Sequence, residues 1–222
     1  MSHDFSERRG APSVPAYRRP AARHVAEIVI ERSRFICTLD RATTAEDAQR
    51  IVRDVQVQAP EATHHCWAYV AGPPGSTSHI GLSDDGEPHG TAGRPMLNVL
   101  LHADVGDIVA VVTRWYGGVK LGTGGLSRAY AGAVQTALST LPLELRVDRV
   151  RAAFVVDYAA ITPVRQLLDA LEVEVLQEDW ADVVAYEVAI ARDRIASLTQ
   201  GLADRTRGRA VPTVTELSDG SA

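Results

Sequence analysis

TRWYGGVKLGTGGLSRAY, the segment from Thr113 to Tyr130, joins a strand-like run to a helix-like run through the most glycine-rich part of the chain. The apolar run Asp107–Val112 before it predicts a strand, and Leu126–Leu141 after it predicts a helix that begins near Gly125. Glycine permits positive φ and lets other groups approach the backbone closely. We therefore predict a strand, a glycine loop and a helix, with these five glycines in the loop: Gly117, Gly118, Gly122, Gly124 and Gly125.

Positive charge accompanies this glycine loop. Lys120 is the only lysine of the chain, and Arg114 and Arg128 lie on either side of the glycines. A helix that begins after such a loop directs free N–H groups and the positive end of its dipole at that place. We expect an anion site for a phosphate or a carboxylate, with Tyr116 beside it; the alternative is a strand-to-helix turn with no ligand. The spacing fits neither a P-loop nor the G-x-G-x-x-G dinucleotide fingerprint.

A second candidate segment is the acidic loop within SDDGEPHGTAGRP, Ser83–Pro95. Its carboxylates and imidazole lie within six residues, and oxygen ligands suit a hard divalent cation. The favoured alternative is structural, because carboxylates in Gly/Pro loops usually cap N–H groups or pair with arginines, here Arg94 and Arg114. We therefore predict no metal site and expect the acidic loop to pack against the glycine loop. Its supporting residues are Asp84, Asp85, Gly86, Glu87, Gly90, Thr91 and Arg94, with His64 as a further candidate.

Three segments resemble the signature of the IMPACT/YigZ family: Arg114–Tyr130, Ser83–Pro95 and Thr63–Tyr69, which reads THHCWAY. The resemblance covers roughly residues 24–142. It implies the fold shared by certain small-subunit ribosomal proteins and domain IV of elongation factor G. The remainder resembles, by its layout, the small C-terminal domain that accompanies this family in bacteria and is similar to domain V of elongation factor G.

The order of apolar runs predicts an α+β protein with two domains. Residues 24–142 are expected to form a ββαββαβα domain, and residues 146–218 a βαββαβ domain of the ferredoxin-like pattern. Pro142 marks the break between them. Residues 1–23 are rich in Pro, Arg and Ala without periodicity, so a disordered basic tail is predicted there.

Charge and composition restrict the classes of function. The net charge of −5 argues against nonspecific binding of long nucleic acid by the whole surface, so a nucleic-acid site has to be a local patch. No apolar run reaches the roughly 18 residues of a membrane span, and the N-terminus lacks the apolar part of a secretory signal. Two cysteines form no disulfide framework. The expected location is the cytoplasm.

The resemblance implies a non-catalytic binding or regulatory protein linked to translation, because eukaryotic IMPACT proteins restrain a nutrient-sensing kinase by competing for its activator. We expect contact with RNA, the ribosome or a translation factor, without a membrane, DNA specificity or a cofactor. The oligomeric state stays open. The alternative is an enzyme or sensor that acts on a phosphorylated or carboxylated small molecule at Lys120 and the acidic loop. No catalytic residue is assigned.

Overall fold

The described part of the chain, residues 16–217 of a computed structural model, divides into two compact units, residues 16–146 and 147–217. The first unit has an α+β composition. Its elements are, in chain order, β1 (Tyr17–Pro20), β2 (His24–Ile30), β3 (Ser33–Arg41), α1 (Ala45–Gln58), β4 (His64–Val70), β5 (Ile80–Ser83), α2 (Gly93–His102), β6 (Ile108–Trp115), α3 (Gly122–Ser139) and β7 (Leu143–Arg146).

Strand β6 is the middle strand of a five-stranded antiparallel sheet in the order β2-β3-β6-β4-β5. Its residues 108–114 are all buried because helices cover both faces of the sheet, which explains the continuous apolar run in the sequence. The sequence predicts that this strand ends at Val112, but it continues to Trp115 because Thr113 and Arg114 still pair with β3 and β4. Arg114 therefore belongs to the sheet and not to the loop.

The two faces of this sheet have separate apolar cores. Cys66 and Val112 face α2 and α3, where the Tyr130 ring of α3 is fully buried. Val111 faces the other way and packs with Ile51 of α1. Alternate residues of one strand point to opposite faces, so neighbours such as Val111 and Val112 enter different cores. The candidate site lies at the end of β6 on the α3 side.

Helix α1 begins after a cap formed by a threonine side chain. Thr44 is the N-cap, and its Oγ1 accepts a hydrogen bond from the Asp47 N–H at 3.1 Å. The Thr43 hydroxyl instead donates to Asp47 Oδ2 at 2.8 Å. Asp47 therefore bonds to both threonines, through its carboxylate to Thr43 and through its N–H to Thr44.

Strand β1 corrects the prediction of a disordered tail over residues 1–23. Tyr17–Pro20 pairs antiparallel with Leu143–Arg146, so the first unit continues beyond Pro142 on one side and begins before His24 on the other. The Tyr17 ring is buried, and its hydroxyl donates to Asp107 Oδ2 at 2.7 Å. A buried ring and a charged acceptor hold this segment in place. Residues 1–15 lie outside the described residues.

The second unit has the predicted βαββαβ order. Its elements are β8 (Arg149–Val156), α4 (Ile161–Ala170), β9 (Glu174–Trp180), β10 (Val184–Ala191), α5 (Ile195–Thr206) and β11 (Thr213–Glu216). The strands form an antiparallel sheet in the order β11-β8-β10-β9. Phe154 and Tyr186 stack in its core at 5.4 Å between ring centroids, beside Leu168, Leu198 and Leu202.

Membrane insertion through a helix has no support in residues 16–217, where no helix combines the length and the hydrophobicity needed to cross a bilayer.

Candidate functional site

Helix α3 begins at Gly122, earlier than the predicted start near Gly125. Gly122, Gly124 and Gly125 therefore lie in its first turn, and the loop itself retains Gly117 and Gly118. The N-cap residue is Leu121, so no side chain caps the first N–H groups of the helix. These N–H groups and the positive end of the helix dipole are available to solvent or to an anion.

Gly117 is required by a close backbone approach. A Cβ at this position would lie 2.0 Å from the carbonyl carbon of Arg32, in the turn between β2 and β3. The Gly117 N–H donates to Ser33 Oγ at 3.2 Å. Further along, Gly118 and Gly122 have φ values of +87° and +67°, which favour glycine. The start of the glycine loop is thus fixed to the β2–β3 turn, which orients the chain that enters α3.

Asp84 of the acidic loop has a structural role at the start of α2. Its carboxylate accepts hydrogen bonds from the N–H groups of Gly90 at 2.7 Å, Ala92 at 3.0 Å and Gly93 at 2.9 Å. Burial favours the protonated acid, but the three N–H donors outweigh burial and lower the pKa of Asp84 below its ordinary value. Both oxygens of this carboxylate therefore accept hydrogen bonds from the protein's own backbone.

Asp85 and Thr91 of this segment also bond to the protein's own backbone. Asp85 Oδ2 accepts the His65 N–H at 2.6 Å, and the Thr91 hydroxyl donates to the Pro88 carbonyl at 2.6 Å. Gly86 and Gly90 have positive φ, +83° and +76°. Within residues 16–217, no group of three or more His, Cys, Asp or Glu side chains is arranged to hold a metal ion.

Glu87 of the acidic loop forms a buried ion pair with Arg114, which lies near the end of β6 just before the glycine loop. Arg114 Nη1 donates to Glu87 Oε1 at 2.5 Å, and the Tyr130 hydroxyl donates to the same oxygen at 2.8 Å. The side chains of Arg114 and Glu87 are only 6% and 3% exposed. Arg114 also reaches Ser33 Oγ at 3.3 Å, while its Nε has no partner among the described residues. The expected packing of the acidic loop against the glycine-loop segment is confirmed at this pair.

Burial controls the protonation of the groups beneath this pair. It raises the pKa of the Tyr130 hydroxyl, and the neighbouring Cys66 and Glu87 raise it further. It also raises the pKa of the Cys66 thiol to about 12. The Cys66 thiol donates to the Asp84 carbonyl at 2.9 Å. Both groups are therefore neutral hydrogen-bond donors at physiological pH, not nucleophiles.

A cleft of about 380 Å³ opens above the ion pair and reaches the first turn of α3. Lys120 is exposed at its edge and Tyr116 is 47% exposed, with the Arg114 guanidinium carbon 5.6 Å from the Tyr116 ring centroid. We call this space the α3 cleft. Its lining residues are Thr63, His64, Glu87, Pro88, Arg114, Tyr116, Lys120, Leu121, Gly122, Thr123 and Leu126.

His64 is oriented by the acidic loop. Its Nδ1 lies 2.7 Å from the Asp85 carbonyl oxygen. A carbonyl only accepts, so Nδ1 carries the proton, and Nε2 of the neutral ring presents a lone pair. Nε2 lies 3.9 Å from Glu87 Oε1. The cleft thus contains an imidazole acceptor beside a buried carboxylate.

Two predicted site residues line other clefts. Arg94 is exposed on α2 and lines a different cleft with Asn98 and Gln135; within residues 16–217 it has no carboxylate partner, so the predicted pairing with the acidic loop was wrong. Arg94 lies on α2 in a cleft different from the one that Glu87 lines. Arg128 is exposed on α3 and lines a third cleft with Glu31, which Lys120 also reaches; its guanidinium nevertheless lies beside the first turn of α3, 3.5 Å from where a Cβ of Gly124 would stand.

Sequence reasoning did not select Thr63, Leu121, Thr123 or Tyr130 as site residues, although all four lie in or next to the quoted motifs. Thr63 Oγ1 accepts the Tyr116 N–H at 3.1 Å, and Tyr130 bonds to Glu87. These four residues could have been found from the sequence only because they lie within the motif segments Thr63–Tyr69 and Arg114–Tyr130.

Comparisons with known proteins match each of the two units to a described protein domain. The Impact N-terminal domain matches residues 31–138, and a domain of unknown function, DUF1949, matches residues 154–209. An IMPACT family member of Haemophilus influenzae is 39% identical over 203 residues, which cover 91% of this chain and 98% of that protein. The IMPACT family member YigZ of Escherichia coli is 40% identical over 189 residues, 85% of this chain and 93% of that protein.

More distant and structural matches agree. Protein IMPACT of Danio rerio is 31% identical over 120 residues, 53% of this chain and 37% of that protein. A crystal structure described as that of a hypothetical protein has a TM-score of 0.64 and 36% identity, covering 93% of this chain and 100% of that chain. The length and the identity of these matches show that the chain belongs to the IMPACT family.

Proposed function

We propose that this protein is a non-catalytic, cytoplasmic binding protein linked to translation, which contacts RNA, free or in the ribosome, through the α3 cleft. The link to translation rests on membership of the IMPACT family, whose eukaryotic members control translation. A translation-control protein is the other partner that this membership suggests. The choice of RNA rests on the chemistry of the cleft.

The observation that carries the proposal is the uncapped first turn of α3 with Lys120 at its edge. Free N–H groups, the helix dipole and one ammonium group are directed at the same space, which is an arrangement that binds phosphate. Gly122, Gly124 and Gly125 carry no side chain that would keep a ligand away from this backbone.

The buried ion pair supports an anion site because it removes the repulsion that Glu87 would otherwise exert. Arg114 neutralises Glu87 at 2.5 Å. The charge that a phosphate meets is then set by Lys120, by the Arg128 guanidinium beside Gly124 and by the α3 dipole. The acidic whole chain, with its net charge of −5, restricts RNA contact to this patch.

The fold is the second support for a role in translation. We propose that residues 16–146 share the fold of elongation factor G domain IV, and residues 147–217 that of its domain V. The ββαββαβα and βαββαβ orders of elements support this assignment. Superposition on those two domains tests it, and a different strand order in either sheet would contradict it.

The experiment is filter binding of an eight-nucleotide single-stranded RNA between about 50 and 200 mM salt. Lys120→Ala is expected to weaken binding about fivefold or more and to reduce the slope of log affinity against log salt by about 0.7 to 1, one released counterion. Arg53→Ala is the matched control, because Arg53 is an exposed cation on α1, which packs on the opposite face of the sheet. Equal losses in both variants would show that RNA binds by general charge, not at the cleft.

A second candidate function is an enzyme or sensor for a phosphorylated or carboxylated small molecule. The observation that favours it is the volume of the α3 cleft, about 380 Å³, which falls within the range of small-ligand pockets, together with His64 Nε2 near Glu87. Isothermal titration with phosphorylated metabolites distinguishes the two. Micromolar binding of one metabolite with no binding of the RNA would favour this candidate.

A further inference from the structure

We infer that the α3 cleft takes one ribonucleotide unit, with its phosphate at the first turn of α3 and its 2′-hydroxyl at Glu87. The inference rests on the proposed function and adds the part of the ligand that the cleft recognises. A volume of about 380 Å³ exceeds what a single phosphate group fills, so the cleft has room for more of a nucleotide than its phosphate.

The floor of the cleft presents a hydrogen-bond acceptor that lacks a protein donor. Arg114 and Tyr130 both donate to Glu87 Oε1. No hydrogen bond within residues 16–217 reaches Oε2, although the Glu87 side chain is only 3% exposed and lines the cleft. Within the described residues, Oε2 is not one of the fully buried side-chain atoms that lack a partner, so it keeps access to the solvent in the cleft. A ligand hydroxyl that replaces this solvent can donate to Oε2.

His64 adds a second acceptor at the same place. Its Nδ1 donates to the Asp85 carbonyl, so Nε2 of the neutral ring is an acceptor, and it lies 3.9 Å from Glu87 Oε1. A phosphate or a carboxylate brings no donor to these two acceptors, whereas a hydroxyl does. The two ends of the cleft therefore differ in chemistry: donors at α3 and acceptors at Glu87 and His64.

The length of α3 limits the distance between these two ends. Tyr130, which bonds to Glu87, follows Gly122 by eight residues, or about 12 Å along the axis. Side chains on a helix lean towards its N-terminus, so Glu87 lies closer to the first turn than Tyr130 does. A ribose with its own phosphate extends over such a distance, whereas an isolated phosphate ion does not reach both ends.

Tyr116 offers a surface for the base. Its ring is 47% exposed at the edge of the cleft, and the Arg114 guanidinium carbon lies 5.6 Å from the ring centroid. An exposed aromatic ring beside a phosphate site stacks on bases without selecting a sequence. The 2′-hydroxyl is the group that distinguishes RNA from DNA. The cleft is therefore expected to select ribonucleotides over deoxyribonucleotides.

The test compares three octamers of one sequence by filter binding: RNA, DNA and 2′-O-methyl RNA, which keeps the 2′-oxygen but has no donor. The wild-type protein is expected to bind RNA about tenfold more tightly than the other two, as for one lost hydrogen bond to a charged acceptor. A parallel titration with AMP and 2′-deoxy-AMP identifies the source of the nucleotide. Discrimination by the monomers indicates a free nucleotide, and discrimination by the octamers alone indicates an RNA chain.

Two variants assign the discrimination to the floor of the cleft. Glu87→Gln removes the charged acceptor, and His64→Leu removes the imidazole acceptor without disturbing the ion pair. Each is expected to reduce the preference for RNA to about threefold or less, while affinity for DNA stays within about twofold. His64→Leu decides the matter if Glu87→Gln does not fold.

The outcomes separate this inference from the proposed function. Equal affinity for all three octamers, or an unchanged RNA preference in His64→Leu, overturns the inference and leaves the phosphate site standing. Failure of RNA, DNA and both mononucleotides to bind overturns the proposed function as well.

Discussion

Replacing Glu87 by Gln tests the buried ion pair that lies beneath the α3 cleft. The substitution keeps the shape of the side chain and removes its charge, so Arg114 stays buried at 6% side-chain exposure without a counter-ion. Removal of one partner of a buried pair typically costs about 3–5 kcal/mol. The amide still accepts from Arg114 and Tyr130, so we expect a loss near the lower end, about 3 kcal/mol in the free energy of unfolding.

The assay is urea unfolding followed by tryptophan fluorescence in a Trp180→Phe background. Trp180 belongs to the second unit, so the signal then comes from Trp67 and Trp115 in the first unit alone. This background matters because a chain of two units need not unfold in one transition. Tyr130→Phe is the matched comparison, since it removes only one hydrogen bond to the carboxylate and is expected to cost about 1.5 kcal/mol.

Arg114→Met completes a double-mutant cycle with Glu87→Gln. The double variant is expected to be more stable than the sum of the single losses by at least about 1 kcal/mol, because neither charge is then left alone. A loss below about 1 kcal/mol for Glu87→Gln, or additive losses in the cycle, would refute the buried pair and with it the neutral floor of the cleft.

Three further predictions follow from individual contacts. Gly117→Ala is expected to destabilise the first unit by at least about 2 kcal/mol in the same urea assay, because its Cβ would lie 2.0 Å from the Arg32 carbonyl carbon. Gly124→Ala lies inside α3, where the nearest atom is 3.5 Å from the new Cβ, so this variant is expected to be neutral or stabilising. Equal losses of stability in the two variants would contradict this geometry. Asp84 has a lowered pKa in the folded state, so its contribution to stability is complete above the ordinary aspartate pKa of about 3.9 and is lost as the pH falls through the lower folded value. Asp84→Asn should therefore flatten the fall of melting temperature with acid, and an unchanged fall would exclude this cap. Burial raises the pKa of Cys66 to about 12, so native protein should resist iodoacetamide at pH 8 and react only in urea; labelling of Cys66 in the native state, detected by mass spectrometry, would show that the thiol is accessible.

The α+β class and both orders of elements were predictable because periodicity and turn residues act locally. The strand before the glycine loop, for example, is marked by its apolar run. Strand β1 was not predictable, because Tyr17–Pro20 contains two arginines and a proline, and its partner is β7, more than 120 residues away. Only the tertiary fold brings Tyr17 to Asp107.

The sequence predicted which residues form most of the site, but not how their side chains are arranged. The sequence placed Asp84, Asp85 and Glu87 in one loop, yet it could not distinguish a carboxylate that caps α2 from one that is buried against Arg114. It also paired Arg94 with the acidic loop, although Arg94 lies on α2 and lines a different cleft. Side-chain direction depends on the exact start of each helix, and α3 begins earlier than the pattern indicated.

The most direct test of the phosphate site is a nuclear magnetic resonance titration of the glycine-selectively ¹⁵N-labelled protein with AMP and with the RNA octamer. The chain has 17 glycines, so a small number of amide signals reports on both units. We predict that the signals of Gly122, Gly124 and Gly125 move on addition of either RNA or AMP, while Gly201 in α5 and Gly208 stay in place. Shifts confined to other glycines, or no shifts at saturating RNA, would contradict a phosphate site at the first turn of α3.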